Sequence, residues 1–287
     1  MRYLRAHKGN VDEAVAAWCE TAKWRSETRP WEVDCHYCRA APGTHTWRQI
    51  GKDLQGRPVV YSCIRQERAG VKHTPEATNL HMIYGLEEAI KTMDDGVTQW
   101  VWAMDMKGMG LKHMSLSLSQ HMNALFSKHY PETLGMAMII NAPRLFSGLF
   151  STLKSFVDPN TVAKIRFFRG SEAELREGFD EVFPAELADW LTTEVSLNKA
   201  ARLAPCQQVW WLPPAGTKGG GGGGGGLGPH DPRACPSCID AYMDPAAPHP
   251  CGFRPAPNIR EALWPDYFPI PPQTPIQLLR LADSAPQ

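Results

Sequence analysis

The chain has 287 residues, 43% of them apolar, and 30 basic residues balance 30 acidic ones. Zero formal net charge argues against a nucleic-acid binder, which needs a basic excess, while the apolar content is enough for a folded core. No apolar run reaches the roughly 18–20 residues that span a bilayer, and the charged start MRYLRAHKGN leads into no apolar stretch of the secretory kind. A cytoplasmic protein with only peripheral membrane contact is expected.

Taken in chain order, Val11, Ala14, Val15, Trp18 and Ala22 recur at three- and four-residue steps. That is the period of one helix face and predicts a helix over 11–28, with Asn10 as a good N-cap. PVVYSCI, 58–64, reads as a strand introduced by Gly56-Arg57-Pro58. A helix over 76–93, a buried strand over 99–105 and a helix over 115–129 follow, the last ending before Tyr130-Pro131. A strand over 136–141, a helix over 144–157 and a strand over 162–168 complete the pattern. This alternation predicts an α/β fold with a mostly parallel sheet and helical crossovers. Strands of such a sheet are buried on both faces, hence their nearly continuous apolar character.

The composition changes near residue 200. Pro213-Pro214 is followed by eight consecutive glycines, Gly219 to Gly226, and then by Pro-rich sequence. A glycine tract holds no fixed backbone and serves as a flexible linker. Residues 205–287 are expected to be largely disordered, with a short ordered patch at Trp264, Tyr267 and Phe268. The organisation read from this is a short N-terminal helical region over 1–30, a folded domain over 31–200, and a Gly/Pro-rich linker and tail over 201–287. The tail is a candidate segment for recruiting a protein partner.

Eight cysteines include two CxxC pairs, Cys35–Cys38 and Cys235–Cys238. Reduced thiols are the default in an intracellular protein. Joining both pairs in one zinc site would bridge about two hundred residues, far from the usual compact spacing. Cys235, Cys238, His249 and Cys251 have suitable ligand types but lie in a Pro-rich stretch with little to pack around an ion. No metal and no cofactor are therefore expected. GxSxG, Walker, HExxH and strand-linked GxGxxG patterns are all missing, so no enzymatic activity is expected either.

Three neighbouring features carry the functional reading. Seven of the fourteen residues 144–157 are Leu, Phe or Val. Leu145, Leu149 and Phe156 form one stripe; Phe146, Phe150, Leu153 and Val157 form the next. Together they cover more helix surface than one core-facing stripe requires, which fits either a deeply buried crossover or a helix touching a greasy ligand or membrane. Next comes DPNTVAKI, where Asp158 can cap and Pro159 suits the first helical turn. Thr161 and Lys164, three apart, offer a hydroxyl and an ammonium beside backbone N–H groups that favour an anion. Between residues 143 and 169 there are five basic residues and one acid, a local excess suited to an anionic membrane surface. The third feature is Tyr130-Pro131-Glu132, whose acid, paired with Lys164, can bind headgroup hydroxyls.

The stretch YPETLGMAMIINAPRLFSGLFSTLKSFVDPNTVAKIRFF, 130–168, resembles the CRAL-TRIO lipid-binding domain family. YLRAHKGNVDEAVAAWCETAKWR at 3–25, GRPVVYSCI at 56–64 and MDMKGMG at 104–110 resemble it too, so the likeness covers about residues 1–195. The resemblance implies a sheet floor, helices enclosing an apolar pocket and a gate helix, here 144–157. It implies a phospholipid or another hydrophobic ligand exchanged with a transiently contacted membrane. Of its members, the phosphatidylinositol binders place an acid, a hydroxyl and a lysine where Glu132, Thr161 and Lys164 stand. The family's LRAR pattern reads LRAH here, so His7 replaces an arginine that helps hold phosphate, and an imidazole lacks arginine's bidentate fork. Phosphatidylcholine binders place small hydroxyl residues where Trp100 and Trp102 stand; on alternating positions both indoles share one sheet face and fill a choline site. The N-terminal region is shorter than the family's usual set of helices. The implied function is lipid transfer, with phosphatidylinositol as the expected ligand. The alternatives are a tocopherol, retinoid or other isoprenoid, or an interaction module that transfers nothing.

Overall fold

The computed structural model describes residues 1–33, 35, 37, 44–67, 74–110, 113, 116–143, 146, 150, 154, 157–203 and 207. Its first helices are α1 (Arg2–Ala6) and α2 (Val11–Thr28). α2 starts where Asn10 accepts the Glu13 N–H through its side chain, satisfying a donor the first turn leaves unpaired. Two strands follow, β1 (Arg48–Lys52) and β2 (Pro58–Cys63). The hairpin between them is closed by Asp53, whose carboxylate accepts the Arg57 backbone N–H at 2.8 Å and its guanidinium Nε–H at 2.7 Å. Gly56 takes the positive φ of +75° that this turn needs.

The rest alternates as expected: α3 (Pro75–Lys91), β3 (Trp100–Asp105), α4 (Leu116–His129), β4 (Leu134–Ile140), α5 (Pro159–Ala163) and β5 (Ile165–Phe168). Two helices that the sequence reading does not anticipate come last, α6 (Glu172–Asp180) and α7 (Ala185–Lys199). The expected strand over 162–168 begins only at Ile165, because Pro159 to Ala163 form a helical turn.

The five strands lie in the order β1-β2-β3-β4-β5. β1 runs antiparallel to β2, and every later pairing is parallel. A sheet that steps always to its next neighbour through right-handed crossovers places those crossovers on one face. Accordingly Met82, Leu86 and Ala89 of α3 and Leu125 and Phe126 of α4 pack with Val60, Trp100 and Trp102. α6 and α7 cover the opposite face, where Leu175, Phe179, Leu187 and Leu191 bury Val59, Tyr61, Val101, Ala103, Met138 and Ile140.

A buried polar network ties α7 to the first strand. Arg48 on β1 and Glu194 on α7 both have 0% side-chain exposure. Arg48 donates to Glu194 Oε1 at 2.8 Å and to Gln66 Oε1 at 2.9 Å. Asn198 donates to Asp105 Oδ2 at 2.8 Å at the end of β3.

Most of the expected 144–157 helix lies outside the described residues, including Leu145, Leu149, Leu153 and Phe156. So do the glycine tract, the patch at Trp264, Tyr267 and Phe268, and the set Cys235, Cys238, His249 and Cys251.

Candidate functional site

Tyr130 fixes the loop that carries the first candidate. Its hydroxyl donates to Glu87 Oε1 at 2.8 Å, and Glu87 is also gripped by both Arg25 Nη groups, at 2.7 and 3.0 Å. Burial pushes the Tyr130 phenol far above its ordinary range, with the Glu87 charge adding to this, so it remains a donor. Thr133 closes the same turn by donating to the Tyr130 carbonyl at 2.7 Å. Between these anchors Glu132 adopts φ +58°. The left-handed region costs a side-chain-bearing residue roughly 1–2 kcal/mol, and such strain persists only where the surroundings over-determine it.

Glu132 leads into β4, and Lys164 leads into the neighbouring β5. The Ala137 N–H donates to the Lys164 carbonyl at 3.0 Å, which registers the two loops side by side. Their side chains meet: Lys164 Nζ donates to Glu132 Oε2 at 2.9 Å, and each side chain is only 19% exposed. Thr161 precedes Lys164 by one turn, and its carbonyl accepts the Lys164 N–H. Glu132 and Lys164 are thus brought together, with Thr161 on the helical turn just before Lys164. The expected share of free backbone N–H groups is smaller, because Asp158 Oδ1 already accepts the Asn160 N–H at 2.8 Å. His7 Nδ1 lies 3.4 Å from Glu13 Oε2, and the Glu132–Lys164 pair forms without it.

Next to this pair the α3/α4 face of the sheet becomes an apolar surface rich in methionine. Met106, Ile139 and Phe146 cluster there with Met104, Met109, Phe150 and Ile165. Flexible, polarisable methionine adapts to irregular apolar shapes. Phe146, Phe150 and Phe167 form an aromatic group with centroid separations of 5.2 to 6.3 Å. Phe167 is 40% exposed. Lys154 and Arg169 lie over the rings of Phe150 and Phe167 at 5.1 and 5.2 Å, so cations rim the aromatic surface.

Further along the same face, Trp100 is buried and Trp102 half-buried. They do share that face, and a residue the sequence reading overlooks joins them: Trp47 lies 5.4 Å from Trp100 and 4.7 Å from Trp102. Trp102 Nε1 donates to Ser62 Oγ at 2.9 Å. Three indoles pack together on this part of the face.

A mostly parallel sheet of consecutive strands, helices on both faces and one charged pair at the edge of an apolar surface define a mixed α/β binding domain. A match to the CRAL/TRIO domain family spans residues 46–187, so the chain carries a domain of that family. A CRAL-TRIO domain-containing protein of Schizosaccharomyces pombe is 30% identical over 178 residues, 59% of this chain and 40% of that protein. Phosphatidylinositol transfer protein CSR1 of Eremothecium gossypii is 26% identical over 198 residues, 65% of this chain and 44% of that protein. The chain therefore spans less than half the length of these relatives. The crystal structure of Sfh5 aligns with a TM-score of 0.48 at 18% identity, over 58% of this chain and 62% of that one. No helix among the described residues is long and apolar enough to cross a membrane.

Proposed function

We propose that the chain binds a single phosphatidylinositol molecule and exchanges it between membranes, without catalysing a covalent reaction. The Glu132–Lys164 pair carries this reading. It is held rigidly, mostly shielded from water, and set at the margin of an apolar surface, the arrangement an amphiphile requires. Inositol hydroxyls can donate to Glu132, while the phosphate can take Lys164 and the Thr161 hydroxyl. In the ligand's absence the two charges satisfy each other, which keeps the site folded. Each buried methylene of the acyl chains is worth about 0.8 kcal/mol, so extraction requires that the apolar surface replace membrane contact almost fully. Exposed Phe167, with Arg169 beside it, suits docking on an anionic bilayer. The name of the CSR1 relative, a phosphatidylinositol transfer protein, points the same way.

A second ligand class is favoured by one observation. Trp47, Trp100 and Trp102 fill much of the sheet face, and Lys164 is already neutralised, which suits a slimmer isoprenoid without a phosphate. To decide, the full chain is incubated with liposomes of mixed lipid extract, re-purified, and its bound lipid identified by mass spectrometry. Recovery of phosphatidylinositol is expected. Lys164→Ala should lower it by about tenfold or more, the scale of one lost charge-assisted hydrogen bond, and Thr161→Ala by less. Recovery of a tocopherol, retinoid or sterol, indifferent to both substitutions, would keep the fold and refute the headgroup assignment.

A further inference from the structure

Away from the lipid site, the loop entering β1 meets α3 around three buried residues of metal-ligating type. Cys35, His45 and His81 each offer a ligand atom within 4.8 Å of the others. Cys35 Sγ lies 3.6 Å from His45 Nδ1, and the imidazoles of His45 and His81 stack with centroids 4.1 Å apart. The placement is enforced by packing. Trp47, two residues beyond His45, presses on α3 at Gly85, where an added Cβ would come within 2.6 Å of Trp47 Cε3. Val33, Tyr37 and Tyr84 close around Cys35.

We propose that Cys35, His45 and His81 bind a zinc ion that ties Cys35 and the loop 44–47 to α3. One thiolate and two imidazoles form a set that selects zinc over the oxygen-seeking magnesium and calcium ions. In a tetrahedral site, bonds of about 2.3 Å to sulfur and 2.0–2.1 Å to nitrogen place those two ligand atoms roughly 3.5 Å apart. The observed 3.6 Å between Cys35 and His45 matches that separation. The two imidazoles stack nearly parallel, 16° between their planes, so one ring must turn on loading for both in-plane nitrogen lone pairs to reach the same ion. On loading, the Cys35 thiol gives its proton to solvent and binds as thiolate, while both histidines bind neutral. Affinity therefore falls as the pH is lowered.

The ligand types in the tail make the background variant important. Full-length chain carrying Cys235→Ser and Cys238→Ser is stripped with chelator and titrated first with cobalt(II), then with zinc. Expected are a thiolate-to-cobalt charge-transfer band saturating at about one equivalent and its displacement by zinc. Adding Cys35→Ala or His81→Gln should remove the band. Absence of the band in the background variant, or a metal content below about a tenth of an equivalent, would overturn the proposal whether or not the site variants fold. A band that survives Cys35→Ala would overturn it too.

Discussion

At Gly85 a single hydrogen atom decides how closely a loop can approach a helix. An alanine mid-helix is intrinsically favoured over glycine by about 1 kcal/mol. Here the methyl group would collide with the Trp47 ring at 2.6 Å, and Trp47 is held by Trp100, Trp102 and His81. Overpacking of this kind costs typically 1–3 kcal/mol, so it outweighs the propensity gain. Gly85→Ala should lower the urea midpoint with an unchanged m-value, whereas Gly110→Ala, where the new Cβ meets nothing within 4 Å, should leave it in place. A rise in the midpoint for Gly85→Ala would show that the indole can move. Such three-dimensional crowding has no sequence signature. Glu132 and Lys164 differ in this respect. Each stands in a short motif, so their pairing was legible at a separation of 32 residues, whereas the motif position of His7 gave no hint that Glu13 would engage it.

Among the elements, the least legible strand is β1. RQIGK shows neither alternation nor an apolar run, yet Arg48 and Gln49 are buried along with Ile50. They hydrogen-bond to partners 43 to 146 residues away, Thr92 and Glu194, and local pattern says nothing of those partners. α6 and α7, by contrast, were open to reading. Ser171 and Glu174 form a complete capping box, and Leu187, Ala188, Leu191 and Val195 recur on one helix face. The β1–α7 link also makes a quantitative prediction. Glu194→Leu strands a buried guanidinium and should destabilise the chain by about 3–5 kcal/mol. The double variant Arg48→Met, Glu194→Leu removes both charges and should recover most of that loss. Equal destabilisation by the single and double variants, measured by denaturant melts, would mean that Gln66 and the face of Tyr61 (4.8 Å from the guanidinium) hold Arg48 without its acid.

For the whole molecule, the sheet's interior carries a pH dependence through Asp105. Burial raises its carboxyl above the ordinary aspartate value of 3.8, despite donors from Lys107 N–H, Asn141 and Asn198 that favour the ion. A group raised in the folded state contributes stability that is complete below its unfolded value and is lost as the pH climbs through its folded value. Wild-type protein should therefore gain stability relative to Asp105→Asn as the pH falls from 7 towards 4. Denaturant midpoints of both proteins across that interval test it. A wild type that loses ground on acidification would show that the three donors outweigh burial.

The consecutive strand order has a further consequence during synthesis. As the chain leaves the ribosome, each strand can pair with the one made just before it, so the sheet grows in the order of translation. The face formed by Val59, Tyr61, Val101, Ala103, Met138 and Ile140, however, is roofed among the described residues by α6 and α7. Until residues 172–199 emerge, a nascent chain would present that row uncovered, the kind of transient apolar exposure that invites aggregation or capture by a chaperone. The interval between the appearance of β5 and that of α7 is thus the vulnerable moment in its biogenesis.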